Sequence, residues 1–251
     1  MSNALDAEAL EAEAAAEGVS AAGKRIYVQR IFSEIAPRYD LLNRLLSLGI
    51  DGRWRRRALE RLAWSRAPEG NYLDLCAGTL DVGAQLSRLD GFRGAILAAD
   101  FAEPMLRAGL GKAPRRVLSP VVADALALPV RDEAFDGAIV AFGIRNVASL
   151  EGGLREVHRT LKPGARLVIL EFSTPRMPLV RAAYLFYFHR ILPLIGRLVS
   201  GHPTAYTYLP RSVANFPETQ ALAAAMTTAG FRDVQWETLT LGIAAVHVGT
   251  K

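Results

Sequence analysis

The chain has 251 residues, 51% of them apolar, with a formal net charge of +5. That is enough apolar side chain to bury one large core, so a single folded domain is expected. The one cysteine, Cys76, excludes an internal disulfide and fits a reducing compartment. No apolar run reaches the ~20 residues a membrane span needs. The N-terminus also lacks the basic-then-apolar pattern of a signal peptide. The expected location is the cytoplasm, with peripheral contact at the inner face of the cell membrane left open.

Residues 1–23 are mostly Ala, Glu, Gly and Ser with five acids and no Lys or Arg, the composition of a disordered tail or a frayed helix. Without it, 30 basic residues stand against 20 acids, a net +10 over residues 24–251. Such a surface seeks nucleic acid, anionic lipid or acidic substrates, and charge alone does not choose. Residues 24–66 read as a helical cap, with Ile31, Ile35, Leu41, Leu45 and Leu48 at helical spacing. The run Arg53, Arg55, Arg56, Arg57, Arg61 is either a solvated helix face or a surface for phospholipid head groups.

Asn71–Asp81, NYLDLCAGTLD, reads as a buried strand, a glycine turn at Gly78-Thr79 and the start of a helix. Such a turn brings backbone N–H groups and a helix N-terminus to one point, where a nucleotide-like ligand is held. About nineteen residues on, ILAAD ends in Asp100, placed to accept from a ribose diol. A dinucleotide fold needs G-x-G-x-x-G, but here Leu80 stands where the second glycine belongs, which argues against a pyrophosphate cradle. The D-x-x-x-G-T pattern with its downstream acid resembles motif I of class I S-adenosylmethionine-dependent methyltransferases, whose cofactor carries no phosphate.

The remaining periodicity predicts a helix over 80–89 and a strand over 95–100. A further helix begins at Glu103-Pro104, as proline in a first turn allows, and a strand over 117–123 ends at Asp124-Ala125. A strand over 135–142 then delivers AFGIRNV, which sets Arg145-Asn146 at the crevice edge where open α/β sheets do their chemistry. A helix over 150–161, a stop at Lys162-Pro163-Gly164 and a strand over 166–172 lead to Glu171 and Ser173. Residues 175–217 break the βα alternation and carry Tyr184, Phe186, Tyr187, Phe188, Tyr206, Tyr208 and Phe216, a candidate lid over an apolar substrate. His189 and His202 have no partner at metal-ligand spacing, so no metal site is expected. A helix over 217–229 and strands over 233–239 and 242–249 end the chain as an antiparallel hairpin.

Four separated stretches resemble the ubiquinone/menaquinone biosynthesis C-methyltransferase family: YDLLNRLLSLGIDGRW, the DLCAGT turn, FGIRNV, and LKPGARLVILEFS, with GIAAVHVGTK in support. Tyr39, Asp40, Asn43, Ser47 and Trp54 match the family's first signature, while the family His falls on Asp51. Leu80 replaces a usual Gly, Ala141 a usual Ser and Ala165 a usual Gly. Leu80 either crowds the cofactor or points into the helix–sheet core. The resemblance implies an α/β class I fold, a mostly parallel seven-stranded Rossmann-like sheet with helices on both faces.

It further implies S-adenosyl-L-methionine held by Asp74, Gly78, Thr79, Asp100, Phe101, Asp124, Ala125 and Ala141, with Asp124 accepting from the adenine amine. The substrate it implies is a polyprenyl hydroquinone bound by Tyr39, Asn43, Trp54, Glu171, Ser173, Tyr184 and Tyr206. Demethylmenaquinol is the first choice and the methoxy-benzoquinol precursor of ubiquinone the second. A quinol ring carbon is a poor nucleophile until a neighbouring hydroxyl gives up its proton, and phenols titrate near pH 10. Arg145 is therefore expected to stabilise the phenolate and Asn146 to orient the ring. A nucleic-acid methyltransferase is disfavoured, since no Asn-Pro-Pro-aromatic tetrapeptide for a flipped base is present. A cofactor-weak paralogue serving as a pathway scaffold is the other reading. A homodimer and other quinone-pathway enzymes stay open as partners.

Overall fold

The computed structural model describes residues 21–47, 49–191 and 205–251. Its centre is a seven-stranded sheet of order β3-β2-β1-β4-β5-β7-β6. The strands are β1 (Asn71–Leu75), β2 (Ala95–Asp100), β3 (Leu118–Val122), β4 (Phe135–Ala141), β5 (Leu161–Phe172), β6 (Arg232–Leu239) and β7 (Ala244–Thr250). The first five run parallel, while β7 pairs antiparallel with both β5 and β6. The chain steps outward from β1 to β3 and then returns to β4, so the strand order reverses between β1 and β4. A ligand crevice opens at the carboxyl ends of strands that meet at such a reversal.

Alternation along the strands builds a core on each face. On one side Tyr72, Ile96, Ile139 and Val168 pack beneath α3 (Asp51–Arg61) and α4 (Asp81–Leu86). On the other, Leu73, Leu75, Val140 and Ile169 meet Leu154 and Val157 of α6 (Leu150–Thr160) and Leu222 and Met226 of α9 (Thr219–Thr228). The helix α5 (Glu103–Ala108) follows β2. The Lys162-Pro163-Gly164 segment is part of β5 and not a separate turn. The pairing slips there from Phe135↔Leu161 to Gly137↔Arg166, so the glycine at φ +80° makes an irregularity inside the strand.

The cap consists of α1 (Ala21–Ile35), α2 (Tyr39–Leu46) and α3. Residues 1–20 of the acidic stretch lie outside the described residues, and Ala21–Gly23 open α1. The insertion after β5 supplies α7 (Pro178–Phe186), a wide helical turn at Tyr187–Ile191, and α8 (Ala205–Ala214). Ile31 and Ile35 of the cap pack against Tyr184, Phe188 and Val213 of this insertion. Ala36 meets Ala102 and Met105, with Phe32 and Tyr39 beside them. The cap thus spans from α5 to the insertion after β5.

Candidate active site

The turn after β1 is built under strain. Cys76 (φ +54°) and Leu80 (φ +66°) are left-handed, as is Phe142 (φ +58°) after the neighbouring strand β4. Each such non-glycine residue costs of order 1–3 kcal/mol, and clustering at two adjacent strand ends is typical of a ligand site. The two turns touch: a β-carbon on Gly143 would stand 2.3 Å from Cys76 Cβ. Only glycine lets the FGIRN segment lie this close to the first motif.

A cleft at this crevice is lined by Gly78, Asp100, Phe101, Asp124, Ala125, Ala141 and Asn146, with Phe32, Tyr39, Met105 and Phe142. Asp100 Oδ2 accepts from Gly78 N at 2.8 Å and Oδ1 from Ala102 N at 2.9 Å. An ionised carboxylate offers about four lone-pair sites, so acceptor capacity remains for a ligand hydroxyl. Burial raises the Asp100 carboxyl against the pull of these backbone N–H groups. Asp124 Oδ1 accepts from Leu126 N at 2.9 Å, which shapes the turn after β3.

Two residues of the expected cofactor set stand outside this wall. Asp74 is buried under the turn, and its Oδ2 accepts from Gly83 N at 2.8 Å, bracing the start of α4. Burial pushes its carboxyl up to about 7. Thr79 donates from its hydroxyl to Asp40 Oδ1 at 2.5 Å, and Lys112 Nζ reaches Asp40 Oδ2 at 2.5 Å and Asp81 Oδ1 at 2.6 Å. Burial raises the Asp40 carboxyl, but the Lys112 and Thr79 bonds outweigh it and hold the group low. Motif residues thereby latch the cap over the cleft. Lys112 lies 72 residues from Asp40, so no spacing in the sequence joins them.

Leu80 lines neither this cleft nor the apolar cavity beside it. Its side chain, 2% exposed, packs into the core beneath α4 and against Gly109, where a β-carbon would stand 2.7 Å from Leu80 Cγ. Of the two orientations left open by the sequence, the structure holds the inward one.

The apolar cavity, of about 380 Å³, adjoins the cleft and shares Phe32, Tyr39 and Phe142 with it. Its wall includes Ile31, Ile35, Asn43, Trp54 and Arg145, with Phe172, Tyr184, Tyr187, Phe188 and Tyr208 from the β5 end and the insertion after it. Trp54 Nε1 donates to Thr240 Oγ1 at 2.8 Å, which fixes the indole in the wall. Arg145 Nη1 donates to Glu171 Oε1 at 2.7 Å, and the guanidinium lies 5.6 Å over the Phe172 ring. Burial raises the Glu171 carboxyl, with Arg145 opposing.

Glu171 therefore sits behind Arg145 and outside the cavity wall, and the cation faces the cavity as half of an ion pair. Ser173 is likewise absent from the wall: it donates to Gly242 O at 2.7 Å and ties down the β6–β7 turn. Asn146 lines the crevice cleft, and its Oδ1 accepts from Tyr208 Oη at 2.8 Å. It reaches the apolar cavity only through that tyrosine. The side chain of Tyr206, the ring of His189, and His202 lie outside the described residues. Arg55, Arg57 and Arg61 of the charge run are engaged within the protein, with Asp51 and Asp81, with Glu60 and Glu237, and with Glu237.

A crevice at the strand reversal, an acid at the tip of β2, and a sheet ending in an antiparallel hairpin define a class I S-adenosyl-L-methionine-dependent methyltransferase. Solved structures share this fold. A SAM-dependent methyltransferase from Thermotoga maritima aligns over 88% of this chain and 99% of its own, with TM-score 0.59 and 20% identity. A phosphoethanolamine N-methyltransferase of Haemonchus contortus aligns over 78% of this chain and 52% of its own, with TM-score 0.56 and 13% identity.

The chain belongs to the ubiE/COQ5 methyltransferase family, whose profile matches residues 20–251. It is 51% identical to the demethylmenaquinone methyltransferase of Thermus thermophilus, covering 88% of this chain and 100% of that protein. It is 46% identical to the ubiquinone/menaquinone biosynthesis C-methyltransferase UbiE of Geobacter sulfurreducens, over 91% and 89% of the two chains. The cofactor is S-adenosyl-L-methionine, and a carboxylate at the cleft wall, Asp100, fits its ribose hydroxyls in chemical type. No helix among the described residues is long and apolar enough to cross a membrane.

Proposed function

We propose that the chain methylates a ring carbon of a polyprenyl hydroquinone, demethylmenaquinol in the first reading. The apolar cavity between cap and lid carries this reading. Its volume of about 380 Å³ lies within the range of about 300–1,000 Å³ common for small-molecule sites. It adjoins the cleft along Phe32, Tyr39 and Phe142. The names of the relatives support the same substrate class.

When bound, S-adenosyl-L-methionine supplies an electrophilic methyl group. Arg145 then serves as a fixed hydrogen-bond donor to a ring oxygen, its charge balanced by Glu171. Asn146 and Tyr208 hold each other across the junction of the two cavities and orient the ring against the cleft. The aromatic walls surround the ring with apolar surface.

A prenyl chain dissolved in a bilayer needs an enzyme that meets the membrane. The face of α7 turned to the cavity carries Val180, Ala183 and Tyr184, yet its outer face exposes Leu179 (83%) and Phe186 (62%). From Phe172 to Pro217 the chain holds five arginines and no acid. An apolar outer face within an acid-free, arginine-bearing segment fits an anionic lipid surface. In this reading the enzyme is a peripheral protein at the cytoplasmic face.

Turnover assays with demethylmenaquinol and with the methoxy-benzoquinol, read by mass spectrometry, test the substrate. Methylated naphthoquinol is the expected product. Transfer to the benzoquinol alone would select the ubiquinone branch, and transfer to neither would sink the reading.

A further inference from the structure

Asp51 is the only carboxylate in the wall of the apolar cavity among the described residues. It is 7% exposed, and its Oδ1 accepts from Ser47 Oγ at 2.7 Å while Oδ2 lies 2.7 Å from Arg55 Nη1. Arg55 also reaches Asp81 at 3.3 Å, so the Asp51–Arg55 pair is moored to the first residue of the cofactor-side helix α4. A charge facing an apolar cavity is costly without a use or a partner. Arg55 offsets part of that cost, and each carboxylate oxygen keeps further lone-pair capacity.

The other polar groups of this wall are poor proton acceptors. Arg145 and Arg55 are guanidinium ions, which have no acceptor. Burial raises the hydroxyls of Tyr39, Tyr184 and Tyr187, which keeps them in their neutral, protonated form. Asn43, Ser47 and Thr240 do not titrate, and the Tyr208 hydroxyl donates to Asn146 Oδ1. The methylation of a quinol needs an acceptor, because a ring oxygen must lose its proton as the ring carbon reacts.

We propose that Asp51 accepts the proton of the ring hydroxyl beside the carbon that is methylated. This rests on the quinol reading. The O–H bond breaks, the proton passes to the carboxylate, and the oxygen's electrons move into the ring. The ring carbon bonds the donated methyl as the methyl–sulfur bond breaks. That carbon then loses its own hydrogen to water, and Asp51 returns its proton to the oxygen. One proton is released per methyl transferred, and no oxidant is consumed. A carboxylate suffices because the hydroxyl becomes far more acidic as the ring surrenders electrons to the methyl.

The test combines turnover with binding in the absence of cofactor. Asp51→Asn should lower kcat by about a hundredfold or more, the range of a lost general base, with KM moved less than about threefold. Asp51→His should recover much of that loss and gain an acid limb near the imidazole's ordinary value of about 6.5. In titrations read by intrinsic tryptophan fluorescence, the native protein should bind 4-methoxy-1-naphthol about tenfold or more tightly than 1,4-dimethoxynaphthalene, as a hydrogen bond to a charged acceptor predicts. That preference should collapse in Asp51→Asn. Native-like turnover in Asp51→Asn would overturn the proposal. So would equal losses in both variants with an unmoved pH profile, which would make Asp51 purely structural. Failure of the native enzyme on every quinol would instead remove the substrate reading on which the proposal stands.

Discussion

Arg145 and Glu171 form an ion pair 2.7 Å long, with side chains only 6% and 2% exposed. Breaking a buried pair by removing one partner costs about 3–5 kcal/mol, since the other charge is left unpaired. Arg145→Ala should therefore lower turnover by about a hundredfold or more. It should leave S-adenosylmethionine affinity near native, as Arg145 lines only the apolar cavity. Loss of Arg145 removes the charge that most opposes burial at Glu171, so that carboxyl rises further. The folded variant then holds a proton that the unfolded chain releases, and its stability falls as pH rises. Thermal unfolding across pH 5–8 checks the slope, and a variant as stable as native at every pH would contradict it.

Asp74 offers a cleaner pH signature. Its carboxyl is pushed up to about 7 in the fold, against an ordinary value of 3.8. Between these values the native state binds more protons than the unfolded state, so stability declines as pH rises through the window. At about 1.4 kcal/mol per unit, the cost at pH 8 is at most about 4 kcal/mol. Asp74→Asn keeps an acceptor for Gly83 N and removes the titration. Its melting temperature should exceed native at pH 8 and change less between pH 4 and 7. Parallel curves for the two proteins would rule this out.

Leu80 balances strain against burial. A left-handed non-glycine residue costs about 1–3 kcal/mol. Truncating a buried Leu costs about 2–5 kcal/mol. The lost burial outweighs the relieved strain, so Leu80→Gly should lose about 1–3 kcal/mol of stability. Calorimetric titration with S-adenosylmethionine should give affinities within about threefold of each other, as the side chain is outside the cleft. Binding that appears only in Leu80→Gly would revive the scaffold reading.

The outer face of α7 predicts a membrane phenotype. Leu179→Glu and Phe186→Glu place acids among exposed apolar side chains without touching the cavity wall. Both should weaken co-sedimentation with phosphatidylglycerol vesicles by about tenfold or more, with a smaller change on phosphatidylcholine. Turnover of a short-chain, water-soluble quinol should stay near native. Undiminished vesicle binding would move the membrane contact off this helix.

Most strand positions were legible from alternating or wholly apolar patterns, and the meeting of Gly78 and Asp100 at one cleft was legible because a turn and an acid end two neighbouring strands of that kind. The Lys162-Pro163-Gly164 segment misled for a local reason: proline and glycine mark a break, yet a strand absorbs both at an irregularity beside β4. Asp74 and Thr79 sit inside the motif but face helix and cap, a direction that spacing does not encode. Nor does sequence reveal that Arg145 is neutralised, since Glu171 is 26 residues away on another strand.

The sequence by itself determined the sheet, the cofactor crevice and the family, because those depend on residue type at short, regular spacings. Only the tertiary structure decided which polar groups face which cavity. Asp51 beside Arg55, Asp40 locked to Lys112, and Leu80 turned toward Gly109 all depend on elements meeting in space or on a side chain's direction. The energies of those pairs are set by burial and distance, which appear only when the cap, sheet and lid pack together.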